Sequence, residues 1–221
     1  MTVIYLIRHA EAMGNVLEIF QGRTDCDITE KGAAQLDCLA ERFRDIKIDA
    51  LYSSPLIRTL KTADAVNRYH GLPVIKNEAL IEIDGGEWEG EKWLEIEKKY
   101  PLVHDNWKNH MEIFATEKGE SMVTVYERMK AAVTEIAASN KGKTVAVVSH
   151  GCSVRTFLSY AESGSLNGIG QVGWSDNTAV SKIIFDDDFN PSVEFKNDSS
   201  HLPDELSTLK FSRWSKYEED K

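Results

Sequence analysis

The chain is poor in cysteine and proline and short of positive charge, and each shortage removes a class of protein. Three cysteines in 221 residues, Cys26, Cys38 and Cys152, cannot all pair within one chain, which excludes a disulfide-stapled scaffold and is expected of a reducing compartment, here the cytoplasm. Five prolines and 14 glycines rule out a collagen-like or Pro/Gly-rich disordered chain. No stretch approaches the roughly 18 apolar residues of a membrane span, and the run Val3–Ile7 is too short, with no basic residues before it, for a signal segment. Lys and Arg total 26 against 36 Asp and Glu, a net charge of −10. Such a field disfavours nucleic acid and anionic membranes as partners, so an anionic ligand needs a local cluster of positive groups.

What is present is an ordinary globular composition, 42% hydrophobic and 9% aromatic, arranged with two periods. Val3–Ile7 is a compact β-branched and aromatic run that predicts a buried strand. Thr29 to Ile46 opens with a Thr cap and places Ala33, Leu36, Leu39, Ala40 and Phe43 at helical spacing. A short strand at Ala50–Tyr52, a helix from Pro55 to about Tyr69, a long helix from Ser121 to about Ser139, a strand at Thr144–Ser149 and a helix at Ser153–Tyr160 follow. Late strands are expected at Thr178–Phe185 and Ser192–Phe195. Alternating strand and helix predicts an α/β fold with a mostly parallel sheet. The stretch 84–120 breaks the alternation, with Gly85-Gly86, Gly90, Trp88, Trp93 and Trp107, and reads as a partly helical insertion whose three Trp, with Tyr100, form either an aromatic wall over a binding pocket or the insertion's own core. The expected organisation is one catalytic domain over 1–196 carrying that insertion as a cap, then a polar, surface-hugging tail over 197–221 with a frayed end.

Three of these strands end in reactive side chains: Arg8-His9, Ser53-Ser54-Pro55-Leu56-Ile57-Arg58 and Ser149-His150-Gly151. Carboxyl ends of parallel strands share one edge, where ligands bind, so residues far apart in sequence can converge. Two guanidinium groups beside two imidazoles suit a phosphoryl group and not a cation, because the guanidinium fork matches phosphate oxygens. Helix amides starting near Pro55 and Gly151 would support the same anion.

These residues stand in blocks that resemble the histidine phosphatase superfamily, which includes phosphoglycerate mutase. Leu6-Ile7-Arg8-His9-Ala10-Glu11 with Asn15, Gln21-Gly22-Arg23-Thr24-Asp25, Ser53-Ser54-Pro55-Leu56-Ile57-Arg58-Thr59, Glu82 before Gly86-Glu87-Trp88-Glu89-Gly90, Ser149-His150-Gly151 and Asn177-Thr178-Ala179-Val180 run in the family's order from Leu6 to Val180. The resemblance implies a three-layer α/β/α fold of phosphoglycerate mutase type. It implies a metal-independent phosphatase with no cofactor that hydrolyses small phosphorylated metabolites through a phosphohistidine on His9. It assigns Arg8, Arg58 and His150 to the phosphoryl oxygens and Asn15 and the Gly151 amide to further donation, with Gln21 and Gly22 bordering the pocket. Glu82 matches the family's proton donor, a role that requires it to give a proton in one half-reaction and accept one in the next.

Ala10 departs from the family's usual Gly, a change of one methyl. The block from Gln21 to Asp25 resembles the phosphatase branch more than the mutases, whose insertion carries an adjacent Arg pair absent from 84–120, although Lys92 stands near the place of a mutase substrate lysine. The alternatives are therefore a bisphosphoglycerate-dependent mutase and an inactive phospholigand-binding module. Cys38 and Arg44 have the spacing of a thiol phosphatase, but the residues between them continue an amphipathic helix and lack the glycines of a phosphate loop. His70, His104 and His110 have no partner at metal-ligand spacing, and His201 with Asp204 and Glu205 is interrupted by Pro203, so no metal site is expected. The sequence leaves the oligomeric state open.

Overall fold

A computed structural model of the chain describes residues 1–211. In chain order its elements are β1 (Thr2–Arg8), α1 (Met13–Val16), α2 (Glu30–Phe43), β2 (Ala50–Ser53), α3 (Ile57–Val66), β3 (Val74–Lys76), α4 (Trp93–Lys99), α5 (Pro101–Asn109), α6 (Met122–Ser139), β4 (Thr144–Ser149), α7 (Gly151–Ser163), β5 (Val180–Phe185) and β6 (Pro191–Asp198). The six strands form one sheet in the order β3-β2-β4-β1-β5-β6. The first four strands of the chain run parallel, and β5 and β6 add antiparallel at one edge.

Strand alternation divides the core between the two faces of this sheet. Ile4 and Leu6 of β1 and Val145 and Val147 of β4 belong to one apolar cluster with α6 and α7, while Ile7, Ala146 and Val148 join a second with α2 and α3. The result is the three-layer α/β/α arrangement. Local sequence sets the helix ends. Thr29 caps α2 by accepting from Gly32 N, Ser121 caps α6 by accepting from Thr124 N, and Gly164 closes α7 with a left-handed backbone at φ 70°.

Register is what brings the reactive segments together. Arg8 lies opposite Ser149 and Ser53 opposite Val148, so β1, β2 and β4 end at one level of the sheet and His9, Ser54 and His150 leave it side by side. Helix α7 starts earlier than expected, at Gly151, and α3 starts later, at Ile57 rather than Pro55. The Ile57 amide is taken by Asp25 Oδ1 at 2.9 Å, so this helix start is closed by a carboxylate and does not serve a bound anion.

The insertion holds α4, α5 and two single 3-10 turns, and its aromatics belong to the main core. Trp88 is fully buried, with ring centroids 5.1 Å from Phe114 and 5.6 Å from Phe20, and Trp107 is 4.8 Å from Phe114. Lys98 and Lys99 pair with Glu95 and Glu91 on the exposed side of the same insertion. Strand β6 runs through Asp198, past residue 196, and the chain then turns back across the molecule. Asp176 accepts from Ser207 Oγ, Thr208 N and Leu209 N, while Gln35 Nε2 donates to Leu206 O at 2.8 Å and Lys31 Nζ to Ser207 O at 2.8 Å. The frayed end expected beyond these residues lies outside the described residues.

Candidate active site

His9 follows β1 and is 3% exposed. Its Nδ1 lies 2.7 Å from Ala10 O. A carbonyl oxygen only accepts, so Nδ1 carries the proton and Nε2 keeps its lone pair. Its main-chain oxygen is held from the other side by Asn177 Nδ2 at 2.9 Å and by Thr178 N at 3.2 Å. Burial first, then the charges of Arg58 and Arg8, holds this imidazole well below its ordinary value of 6.5, which keeps it neutral at pH 7.

His150 sits beside it, the ring centroids 5.2 Å apart, and is fully buried. Arg58 Nε donates to its Nδ1 at 3.2 Å, which places the proton on Nε2, and Nε2 donates to Ser54 Oγ at 2.7 Å. Burial, followed by Arg58 and His9, also keeps His150 well below 6.5.

The two arginines are held differently. Arg58, in the first turn of α3, donates to Thr24 O at 2.8 Å and Gly22 O at 2.7 Å as well as to His150. Arg8 donates through Nη1 to Ser175 O, but its Nε is buried with no hydrogen-bond partner among the described residues. A buried charged donor left open in this way is suited to an anion. Gly151 permits the placement, since a Cβ there would stand 3.2 Å from Arg8 Nε. Gly22 is required by space: a Cβ would fall 2.1 Å from Ile83 O. The same loop is tied down by Glu89, whose carboxylate accepts from Arg23 N, Thr24 N and Gly85 N, each at 2.9 Å.

Glu82 is 8% exposed and is fixed at the start of α7. Its Oε2 accepts from Cys152 N, and its Oε1 accepts from Ile83 N, Ser153 N and Ser153 Oγ, all at 3.0 Å. The helix N-terminus and a buried hydroxyl together orient the carboxylate.

These groups open on a pocket of about 310 Å³. Of the residues expected at the site, Arg8, His9, Asn15, Gln21, Glu82 and Gly151 line it. Asn15 Oδ1 is taken by Ala12 N and Gln21 Oε1 by Gly14 N, each at 2.9 Å, which leaves the amide NH2 groups for donation. Arg58, His150 and Gly22 stand behind the wall as a hydrogen-bonded block. The lining also includes Phe20, Trp93, Trp107, Trp174, Thr208 and Leu209. Sequence reasoning named Trp93 and Trp107 for an aromatic wall, together with Trp88, which is instead fully buried in the core; it missed Phe20 and Trp174, and nothing placed Thr208 or Leu209 at a site. Ser54 and Asn177 lay within the recognised blocks, but no local pattern assigned them a bonding partner. Cys38 lies within α2, away from these groups, as its helical surroundings implied.

The profile of the histidine phosphatase superfamily (branch 1) matches residues 4–198. Phosphoserine phosphatase 1 of Hydrogenobacter thermophilus is 33% identical over 202 residues, 91% of this chain and 95% of that protein. The structure of Bacillus stearothermophilus YhfR, 30% identical, superposes with a TM-score of 0.87 over 92% of this chain and 100% of that one. A phosphoserine phosphatase from Entamoeba histolytica, solved in complex with phosphoserine, is 26% identical with a TM-score of 0.81, covering 92% of this chain and 100% of that one. The chain belongs to the histidine phosphatase superfamily and is an enzyme of the phosphatase class.

Proposed function

We propose that, as a member of the histidine phosphatase superfamily, this enzyme hydrolyses small phosphomonoesters through a phosphohistidine on His9, with phosphoserine and similarly compact esters as its substrates. The observation that carries the reading is a neutral His9 with Nε2 unprotonated beside the buried Arg8 Nε, which has no hydrogen-bond partner among the described residues. The Nε2 lone pair attacks phosphorus as the ester P–O bond breaks, and Glu82 gives its proton to the leaving oxygen. Water then attacks the phosphohistidine, the N–P bond breaks, and Glu82 takes the proton from that water. Arg8, Asn15 and the Gly151 amide receive the phosphoryl oxygens, with Arg58 supplying fixed charge and the neutral His150 hydrogen-bonded support behind them. Because arginines neutralise the developing charge, the reaction calls for no metal.

The identity with phosphoserine phosphatase 1 and a pocket volume of about 310 Å³ support a compact leaving group. Segment 84–120 acts as the cap over that group. A partner that is a small phosphorylated metabolite, neither nucleic acid nor membrane, fits a net charge of −10 gathered around one cationic pocket, and three free thiols fit the cytoplasm.

The test is acid-quenched phosphate trapping with a panel of phosphomonoesters, including phosphoserine and 3-phosphoglycerate with its bisphosphate, in the presence of chelator. Acid-labile, base-stable phosphate is expected on the wild type and not on His9→Ala, whose turnover falls by at least about 10³-fold. Isomerised product exceeding released phosphate would replace hydrolysis by mutase activity, and no trapped phosphate in the wild type would leave a binding module.

A further inference from the structure

Ser153 is fully buried at the start of α7, and its hydroxyl has more acceptors than protons. Ser153 Oγ lies 2.8 Å from Ile81 O and 3.0 Å from Glu82 Oε1. A hydroxyl carries one proton and can donate to only one of them at a time. The two acceptors differ in kind. Ile81 O is a neutral carbonyl that also accepts from Arg128 Nη1 at 2.6 Å, so it stays satisfied when Ser153 turns away. Glu82 Oε1 belongs to a group that must be alternately charged and neutral if it is to serve as acid and then as base.

The carboxylate's two oxygens are also unequal. Oε1 is held by three donors, Ile83 N, Ser153 N and Ser153 Oγ, whereas Oε2 has Cys152 N alone. Oε2 is therefore the oxygen with capacity left to carry the travelling proton, and Oε1 is the anchored one.

We propose that Ser153 is a positioning residue whose hydroxyl switches between Glu82 Oε1 and Ile81 O as Glu82 loses and regains its proton. This rests on the acid–base role given to Glu82 above. With Glu82 ionised, the hydroxyl donates to Oε1 and adds a hydrogen bond to a buried anion. With Oε2 protonated, the demand at Oε1 falls and the hydroxyl turns to Ile81 O, so neither state leaves a buried donor unused. Among the described residues, the other charged and titratable groups facing Glu82 are Arg8 from the end of β1, Arg58 from α3 and the Cys152 thiol from α7, with Arg128 of α6 reaching it through Ile81 O. None of them can make the same exchange, because the guanidinium groups donate in both states and the Cys152 Sγ–H donates to Met122 Sδ.

The test uses Ser153→Ala, which removes one oxygen from a helix position, and compares kcat/KM across pH for an alkyl phosphate and for 4-nitrophenyl phosphate, whose leaving group needs no proton. Loss of a donor to the ionised carboxylate makes that form less favourable, so Glu82 stays protonated to higher pH. The alkaline limb for the alkyl ester is expected to move up by about one pH unit while the nitrophenyl profile stays in place. Ser153→Thr, which keeps the hydroxyl, should restore the wild-type limb, and Ser153→Cys, a weaker donor, should fall between, which keeps the question answerable if the Ala variant does not fold. Superimposable profiles, or equal movement with both substrates, would overturn the switch. Glu82→Gln separates the two claims: if it keeps full activity on the alkyl ester, the role of Glu82 fails, and if it loses that activity while Ser153→Ala is unchanged, only the switch fails.

Discussion

On the reading proposed above, the phosphoryl end of the pocket takes its side chains from strand ends and first helical turns, held by hydrogen bonds from several elements. The leaving-group end is then walled by Phe20, Trp93, Trp107, Trp174, Thr208 and Leu209, which come from two loops, the insertion and the returning C-terminal segment. His150 shows the first arrangement, with both ring nitrogens engaged and no exposure. Trp174 shows the second, a partly exposed ring with the Arg155 guanidinium carbon 4.6 Å from its centroid. The division matches what each end has to do. Stabilising charge on phosphoryl oxygens needs dipoles fixed before the reaction, which rigid elements supply. Choosing among leaving groups needs surfaces that can vary without disturbing those dipoles, which loops and caps supply.

If this contrast is right, substitutions at the phosphoryl end should cost turnover and those at the other end should cost selectivity. The largest effect is expected from Glu82→Gln. Turnover of an alkyl phosphate should fall by about 10²- to 10⁴-fold, whereas transfer from 4-nitrophenyl phosphate to His9, read as the burst of nitrophenol, should change little. An equal loss in both would make Glu82 a binding group and blur the distinction between the ends.

Next in size is an effect on stability. His9, His150 and His201 are all held below 6.5 chiefly by burial, His201 at about 4. The unfolded chain takes up protons below pH 6.5 that the folded protein refuses, so stability is full above that pH and declines as pH falls through the folded values. His201 alone accounts for on the order of 3 kcal/mol of this decline. It joins Thr178 Oγ1 and Arg42 Nη1, each at 3.1 Å, and so links the C-terminal segment to the residues bracing His9. His201→Gln should make the thermal midpoint less dependent on pH between 7.5 and 5, measured by calorimetry. An unchanged slope would show that the segment titrates independently of the fold.

The smallest effect belongs to the leaving-group wall. Trp174→Ala is expected to raise KM about five- to tenfold for esters that reach this ring and to leave kcat and phosphohistidine formation nearly unchanged. A comparable loss of kcat would mean that the wall also orders the phosphoryl end.

How far each end could be read beforehand follows from the same contrast. Arg8, His9, Arg58 and His150 were legible because strand ends of one polarity converge, and because their blocks keep a family's order. Helices α2 and α6 were legible because Leu36, Leu39 and Phe43, or Val125, Met129 and Val133, repeat at helical spacing over several turns. Elements α1 and β3, four and three residues long, offer too few turns or alternations to register a period. In the insertion, Trp88, Trp93 and Trp107 lie on separate short elements, so the sequence left wall and core open, and their packing against Phe20 and Phe114 joins them in one core.

The sequence by itself determined the family and the class of reaction, since Arg8-His9 and Ser149-His150 stand at strand ends and the blocks around Arg58 and Glu82 keep the family's order. It also determined that a chain with net charge −10 had to gather positive charge locally to bind phosphate. Only the tertiary structure decided which nitrogen of each histidine carries the proton, which donor is left open for the anion, and that Thr208 reaches Glu11 at 3.1 Å across 197 residues of chain. Those outcomes depend on which groups happen to meet in space, and a hydrogen bond's partner across such a separation is set by the path of the whole chain and not by the residues beside it.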